Sequence, residues 1–211
     1  MNKTLLAGLF TVALLPAAQA QFTNGNFETG TLAGWTVTPT ANGRTALQQV
    51  VQFDVDGPGG LGTNFGAQFS VGQVVFTSGV PAGIELTQLL NLSSGVQYTF
   101  DFDWAATRTT TSTNAQGGIF DLIVGGTSLA NAAAGSTSLT APRYGHLTAM
   151  FTPTSSGAYA VGARIQRPFT VPSDNSLLQT VDNFTMSPVP EPASMAALGL
   201  GVAALLRRRR K

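Results

Sequence analysis

Apolar and polar residues alternate most strictly in the middle of the chain, over residues 96–104. The apolar positions are Val96, Tyr98, Phe100, Phe102 and Trp104, and each residue between them is polar. A period of two places successive side chains on opposite faces of a strand, whereas a helix would bury a stripe of period about 3.6. We therefore predict a strand with one face in the core and the other towards water.

Shorter segments with the same alternation lie on both sides of this strand, separated by turns that contain glycine, proline or serine. They are residues 46–55, 67–76, 84–92, 119–124, 147–151 and 159–165. No stretch between them is long enough for the crossover helices of a parallel sheet. The sequence therefore predicts an all-β fold, a β-sandwich. The threonine-rich residues 107–113 are expected to form a mobile loop.

The first twenty residues have the composition of a secretory signal helix. Lys3 gives a charged start, residues 5–15 are apolar, and Ala18 and Ala20 are the small residues that signal peptidase requires. Cleavage after Ala20 would leave Gln21 as the first residue of the mature chain. We therefore predict that residues 1–20 are a signal peptide.

A second apolar segment, residues 193–206, lies near the other end of the chain. As a helix it would reach about 21 Å at about 1.5 Å per residue, short of the ~30 Å hydrocarbon core of a bilayer. The motif Pro190, Glu191, Pro192 precedes it. Basic residues follow it and are expected to stay on the cytoplasmic side: Arg207, Arg208, Arg209, Arg210 and Lys211.

These three elements together resemble the PEP-CTERM sorting signal of Gram-negative bacteria. In that family an exosortase-type membrane protease recognises the tail and is thought to remove it. The resemblance implies that residues 189–211 are a sorting tail with a short apolar helix. It also implies export, transient association with the inner membrane, and delivery to the cell surface or the extracellular polysaccharide matrix. A plain C-terminal membrane anchor is the alternative.

The body between the two terminal segments, residues 21–188, has a different composition from the whole chain. It contains five arginines, no lysine and nine carboxylates, a net charge of about −4. Nucleic acid is therefore excluded as a partner, because phosphate binding needs clustered basic residues. The chain has no cysteine, which excludes thiol nucleophiles, zinc-cysteine sites and iron–sulfur clusters.

Short motifs at both ends of the body resemble galactose-binding-like and other carbohydrate-binding jelly rolls. Residues 24–28 read Asn-Gly-Asn-Phe-Glu and residues 34–35 read Gly-Trp, as at the start of those domains. Residues 181–186 have the character of their Asp-containing last strand, and residues 95–105 resemble one of their core strands. The resemblance implies that residues 21–188 form one jelly-roll β-sandwich, with the first and last strands side by side.

Two carboxylates would meet where those strands lie together. Glu28 and Asp182 would repel each other unless a proton or a cation lay between them. Calcium accepts six to eight oxygen ligands, and many jelly rolls of this group hold one near their joined ends. The resemblance therefore implies a structural Ca²⁺ there, with Asn183 in place of a second acidic residue. Ordinary surface hydrogen bonds are the alternative interpretation of Glu28 and Asp182.

Asp54 and Asp56 form a second candidate for calcium. They precede Gly57 in an Asp-x-Asp-Gly pattern that begins several calcium loops. The later ligands of an EF-hand are missing, so a strand end that runs into a glycine-rich turn explains the pattern as well.

Catalytic chemistry has few candidate residues. His146 is the single histidine, and no serine-centred elbow or metal-ligand spacing surrounds it. Asp101 and Asp103 would lie on one face of a strand about 7 Å apart, and paired carboxylates can hydrolyse glycosides. A glycoside hydrolase is therefore kept as an alternative, and we expect a protein without enzymatic activity.

Sugar binding on a β-sandwich uses exposed aromatic rings and polar side chains. Trp35 and Trp104 are predicted to face the core, which leaves Tyr144, close to Arg143, as the candidate exposed aromatic. We therefore expect a non-enzymatic exported protein with a structural or binding role. A carbohydrate-binding module that recognises polysaccharide is the first alternative.

Overall fold

The structure is a computed structural model of the chain, and it describes residues 21–57, 60, 65–111, 114–169, 177–190 and 201. Its ten strands are β1 (Thr36–Pro39), β2 (Gly43–Gln52), β3 (Phe65–Gln73), β4 (Ala82–Leu92), β5 (Tyr98–Arg108), β6 (Ile119–Val124), β7 (Thr127–Ala133), β8 (Arg143–Phe151), β9 (Gly157–Arg167) and β10 (Leu177–Pro188). The predicted signal helix and most of the predicted C-terminal helix lie outside the described residues.

The strands form two five-stranded antiparallel sheets that pack face to face. Sheet A has the order β1-β4-β9-β6-β7, and sheet B has the order β2-β3-β10-β5-β8. The last strand, β10, lies at the centre of sheet B, between β3 and β5. The all-β sandwich predicted from the alternating pattern is therefore confirmed.

Strand β5 shows why the alternation predicted the fold. Tyr98, Phe100, Phe102 and Trp104 are buried between the sheets, and Asp101 and Asp103 lie on the opposite face of sheet B. Trp35 is also buried, so both tryptophans face inward as expected.

Two strands had no clear signal in the sequence. Strand β1 has only four residues, and β7 carries small residues in place of large apolar ones. Both lie at the edges of sheet A, where a strand packs against the core along one side only. An edge strand therefore needs fewer large side chains, and the alternation that reveals a central strand is lost.

The first described residues are part of the fold, although they form no strand. The Phe22 ring is buried and stacks on Trp35 with 5.2 Å between ring centroids. The Thr23 N–H donates to Oε1 of Gln88, and Nε2 of Gln88 donates to the Thr23 carbonyl. The predicted cleavage site at Ala20 therefore lies two residues before a side chain of the core.

A β-bulge interrupts β10 between Asp182 and Thr185. Asn183 has a φ of +55°, which asparagine tolerates better than most residues. The bulge allows Asp182, Asn183 and Thr185 to face outward from sheet B, while the Phe184 ring is buried in the core. One irregular position thus shapes both the core and the outer face of sheet B.

Candidate functional site

The outer face of sheet B carries the polar residues of the strongest predicted strand. In the register of β5 and β8, Asp103 lies opposite His146 and Asp101 lies opposite Thr148. Alternation along β8 places Tyr144 on the same face as His146. Because β8 is an edge strand, this side of the face is open to solvent.

Asp103 is the centre of a hydrogen-bond network on this face. Its Oδ1 lies 2.7 Å from Nδ1 of His146, and its Oδ2 accepts a 2.9 Å hydrogen bond from Nδ2 of Asn183. Asp103 is buried, whereas the His146 side chain is 54% exposed. The imidazole is therefore held through Nδ1, and its Nε2 edge is turned towards solvent.

The sequence did not predict this network, because only the chain neighbours of His146 were considered as its partners. The two partners lie 43 positions apart in the chain, on neighbouring strands. Only the register of β5 on β8 brings them together, and no local motif records that register. The contribution of Asn183 depends in addition on the bulge in β10.

Asp101 is also occupied by a neighbour. Its Oδ2 accepts a 2.9 Å hydrogen bond from the Thr185 hydroxyl. Asp101 and Asp103 lie two residues apart on one strand, on the same face, and do not face each other across a cleft. This arrangement does not support the glycoside hydrolase alternative, in which two carboxyl groups flank the scissile bond.

Residues 53–57 fold over the outer face of sheet B. Val55 is fully buried there and packs against Gly66 of β3. A Cβ added to Gly66 would lie only 2.8 Å from Cγ2 of Val55. The Phe53 ring lies nearly parallel to the Tyr144 ring, 6.4 Å away between centroids. This segment thus contacts Tyr144 on the outer face. We name Phe53, Tyr144, His146 and Asp103 the outer-face patch.

Asp54 and Asp56 lie in this covering segment. Desolvation raises the pKa of the Asp54 carboxyl, and a hydrogen bond and charge repulsion from Asp56 raise it further. The next residue, Gly57, has a φ of +81° and lies against the Tyr144 ring, which an added Cβ would approach to 3.9 Å. The Asp-x-Asp-Gly pattern therefore belongs to a turn that reaches Tyr144 in the outer-face patch.

Tyr144 is exposed, as predicted, and contacts Phe53. Arg143 pairs with the buried Ala106 of β5, so alternation places it on the other side of β8, where its Nε donates to the Ser136 carbonyl. The structure therefore separates the two residues that the sequence had grouped.

Glu28 and Asp182 reach the same part of sheet B. The Glu28 carboxylate accepts the N–H of Phe65, the first residue of β3, with 3.1 Å between N and Oε1. Strand β3 pairs with β10 through Ala67 and Val181, next to the fully buried Asp182. Among the residues that the structure describes, no group of three His, Asp or Glu side chains is arranged to hold a metal ion.

A groove of about 330 Å³ lies beside the bulge in β10. Residues 21–26 form one side of it, and Phe184 to Ser187 of β10 form the other. The first described residue, Gln21, therefore lies close to the strand that ends at Pro188. Both ends of the described sandwich leave from the same pole of the molecule.

Most of the predicted sorting and cleavage residues lie outside the described part of the chain. These are Ala18, Ala20, Glu191, Pro192, Arg207, Arg208, Arg209 and Arg210. Pro190 is described and exposed, and Gly201 is helical. Within the described ranges, no helix has the length and apolar character needed to cross a bilayer.

Residues 188–211 match the family model of the PEP-CTERM protein-sorting motif. The chain carries this sorting motif. It indicates export and surface sorting, as the three elements of the tail had predicted. Comparison with curated protein sequences finds no match.

Several solved structures are similar to this chain. A putative sugar-binding protein from Bacteroides thetaiotaomicron has a TM-score of 0.50 at 12% identity, covering 81% of this chain and 100% of that chain. TmCBM61 in complex with β-1,4-galactotriose has a TM-score of 0.46 at 14% identity, covering 80% of this chain and 99% of that chain. The CBM22-1 xylan-binding domain of Xyn10C from Paenibacillus barcinonensis has a TM-score of 0.46 at 13% identity, covering 83% of this chain and 99% of that chain. At these identities the likeness shows the fold alone.

We expect the Asn183 side chain to stabilise the fold through its bond to the buried Asp103 carboxylate. Asn183→Gly keeps the backbone free to adopt its φ and removes only the amide, so it should lower the free energy of unfolding by about 1.5–3 kcal/mol. Asn183→Ala should cost about 1 kcal/mol more, because alanine is strained at a positive φ. Denaturant unfolding measures both values. Equal stability of Asn183→Gly and the wild type would contradict the network.

Proposed function

We propose that this chain is an exported, non-catalytic protein that binds polysaccharide at the outer-face patch of sheet B. The observation that supports it most is the fixed His146–Asp103–Asn183 network beside an exposed aromatic ring. A hydrogen-bonding edge held in place loses little freedom when a ligand binds. The function therefore rests on pre-organised polar groups next to Tyr144.

The outer-face patch offers both kinds of contact that a sugar needs. The Tyr144 and Phe53 rings provide apolar surface for a pyranose ring. His146 Nε2, the Thr148 hydroxyl and the Asp101 carboxylate lie along the same face and can bond to sugar hydroxyls. We assign binding without turnover to this face, because Asp101 and Asp103 are each held by a neighbouring side chain and do not flank a common point.

Glycan binding is tested with the full chain and three soluble polysaccharides: β-1,4-galactan, xylan and the exopolysaccharide of the producing bacterium. We expect Tyr144→Ala and His146→Ala each to weaken binding about tenfold, a loss of about 1.4 kcal/mol. Leu89→Ala is the matched control, because Leu89 is 74% exposed on the other sheet. Isothermal titration calorimetry measures the affinities.

Two results would overturn this site. One is binding that the Tyr144→Ala and His146→Ala variants both retain at wild-type affinity, which would place the glycan elsewhere on the molecule. The other is a lack of binding to all three polysaccharides by the folded chain, which would leave a structural role. Release of reducing sugar from any of them would contradict the non-catalytic assignment.

The sorting tail suggests the path that brings this body to its ligand. Signal peptidase would cut after Ala20, the tail would hold the body at the inner membrane, and an exosortase-type protease would cut near Pro190. The body would then reach the cell surface or the polysaccharide matrix.

Intact mass of the protein from membrane, surface and medium fractions tests this path. We expect a form that begins at Gln21 and ends near Pro190 outside the cell. A substitution of Glu191 by Ala should retain the protein in the membrane fraction with residues 207–211 attached. A wild-type chain that keeps those residues in the inner membrane would show that the tail is an anchor.

A structural Ca²⁺ near Glu28 and Asp182 completes the proposal. Glu28 bonds to the first residue of β3, and Asp182 is fully buried on the neighbouring strand β10. The turn that carries Glu28 has positive φ at Asn24 and Phe27, a conformation that re-aims backbone carbonyls. Because calcium needs six to eight oxygens, these carbonyls and water would supply the rest of the ligands.

Calcium should raise the melting temperature of the chain, since a ligand that binds only the folded state stabilises it. Glu28→Gln should abolish most of this shift. Asp54→Asn, at the other candidate position, is the matched control and should leave the shift unchanged. Differential scanning calorimetry with calcium and with a chelator measures it. If the Glu28→Gln variant keeps the calcium-dependent rise in melting temperature and the Asp54→Asn variant loses it, the calcium site would instead lie in residues 53–57.

A further inference from the structure

The connection between β3 and β4 exposes a group of apolar side chains. We name residues 74–80 the apical loop. Val74, Val75, Phe76 and Val80 are each at least half exposed, with values of 53%, 66%, 56% and 50%. Contiguous exposed apolar groups of this kind are uncommon on soluble domains and mark surfaces that contact another apolar phase. The outer-face patch of the proposed function includes none of these residues.

The apical loop is held by two side chains of the sandwich. The Asn42 side chain donates to the Val75 carbonyl at 2.6 Å and accepts the Val75 N–H at 2.9 Å. The fully buried Gln73 accepts the Thr77 N–H at 2.9 Å and donates to the Thr77 and Val80 carbonyls. The backbone is thus satisfied on the inside, and the apolar side chains are directed outward.

The loop lies at the pole opposite to the chain ends. Strand β3 runs antiparallel to β10, so the loop that follows Gln73 lies near the start of β10 at Leu177. The chain leaves β10 at Pro188, after 12 residues. A strand of that length spans about 40 Å, so the loop and Pro188 are separated by the whole length of the sandwich.

Arginines lie on both sides of the loop. Arg44 is exposed opposite Gly72 of β3. Arg108 and Arg143, at the facing ends of β5 and β8, lie about 10–15 Å away across the sheet. The described part of this pole contains no Asp or Glu, over residues 40–44, 72–82, 106–111, 114–119, 133–143, 166–169 and 177–179.

We propose that the apical loop inserts its apolar side chains into the surface of a bilayer that contains anionic lipids. The aliphatic side chains suit acyl chains, and the arginines beside them suit lipid phosphates. A glycan fits less well, because three of the four exposed side chains are valines, which offer no hydrogen bond to a hydroxyl and no flat ring. A second copy of this pole fits less well too, since its arginines would repel these.

The full chain allows a direct test, because its sequence has no cysteine and a single introduced one can be labelled. We place a polarity-sensitive fluorophore at Val75→Cys in one variant and at Leu89→Cys in the other. Both positions are exposed, but Leu89 lies on the face of sheet A. The vesicles are phosphatidylcholine alone or phosphatidylcholine with phosphatidylglycerol, each carrying a nitroxide-labelled lipid that quenches at short range.

If the loop inserts, the anionic vesicles should quench the fluorophore at position 75 several-fold more strongly than the phosphatidylcholine vesicles do, and its emission should shift to the blue. The fluorophore at position 89 should be unaffected. Arg44→Glu should reduce the quenching, and high salt should weaken it further. Chain that cosediments with vesicles while position 75 stays unquenched would bind through its tail alone, which overturns the proposal. A concentration-dependent blue shift at position 75 without lipid would mean that a second copy covers the loop. A shift caused only by anionic polysaccharide would assign the loop to a glycan.

Discussion

The Phe184 ring is the contact on which the rest of the sandwich depends. It lies within aromatic contact distance of Phe22, Phe27, Trp35, Phe100 and Phe102, with centroids between 4.6 and 6.4 Å. These rings come from residues 22–35, from β5 and from the bulge in β10. One cluster therefore joins the start, the middle and the end of the body, in a chain that has no disulfide to do so.

The same bulge that turns Phe184 inward supports the outer face. The extra residue in β10 lets Asn183 reach the buried carboxylate of Asp103, which then orients His146. A buried carboxylate without such partners would be costly, so the polar face and the aromatic core share one backbone distortion. Changes that regularise β10 would disturb both together, even though they lie on opposite sides of the sheet.

The sequence revealed what local pattern controls and missed what register controls. Strand β5 was predictable because its large apolar residues recur at every second position. The exposure of Tyr144 was predicted because both tryptophans were assigned to the core. Strand β7 was not, because alanine and serine replace those residues at the edge. The pairing of His146 with Asp103, and the separation of Tyr144 from Arg143, follow from how β8 lies on β5. That alignment depends on the whole sheet, and no short motif encodes it.

Gln21 and Ser187, the residue before the end of β10, line the two sides of one groove, so the two ends of the sandwich lie at one pole. A domain whose ends lay at opposite poles would be stretched or held open if both ends were fastened to one membrane. In the proposed sorting path, this body could fold while both ends were fastened, because folding would leave its ends close together. Folding would then not depend on the proposed cuts, and either cut could come first without strain on the β-sheets.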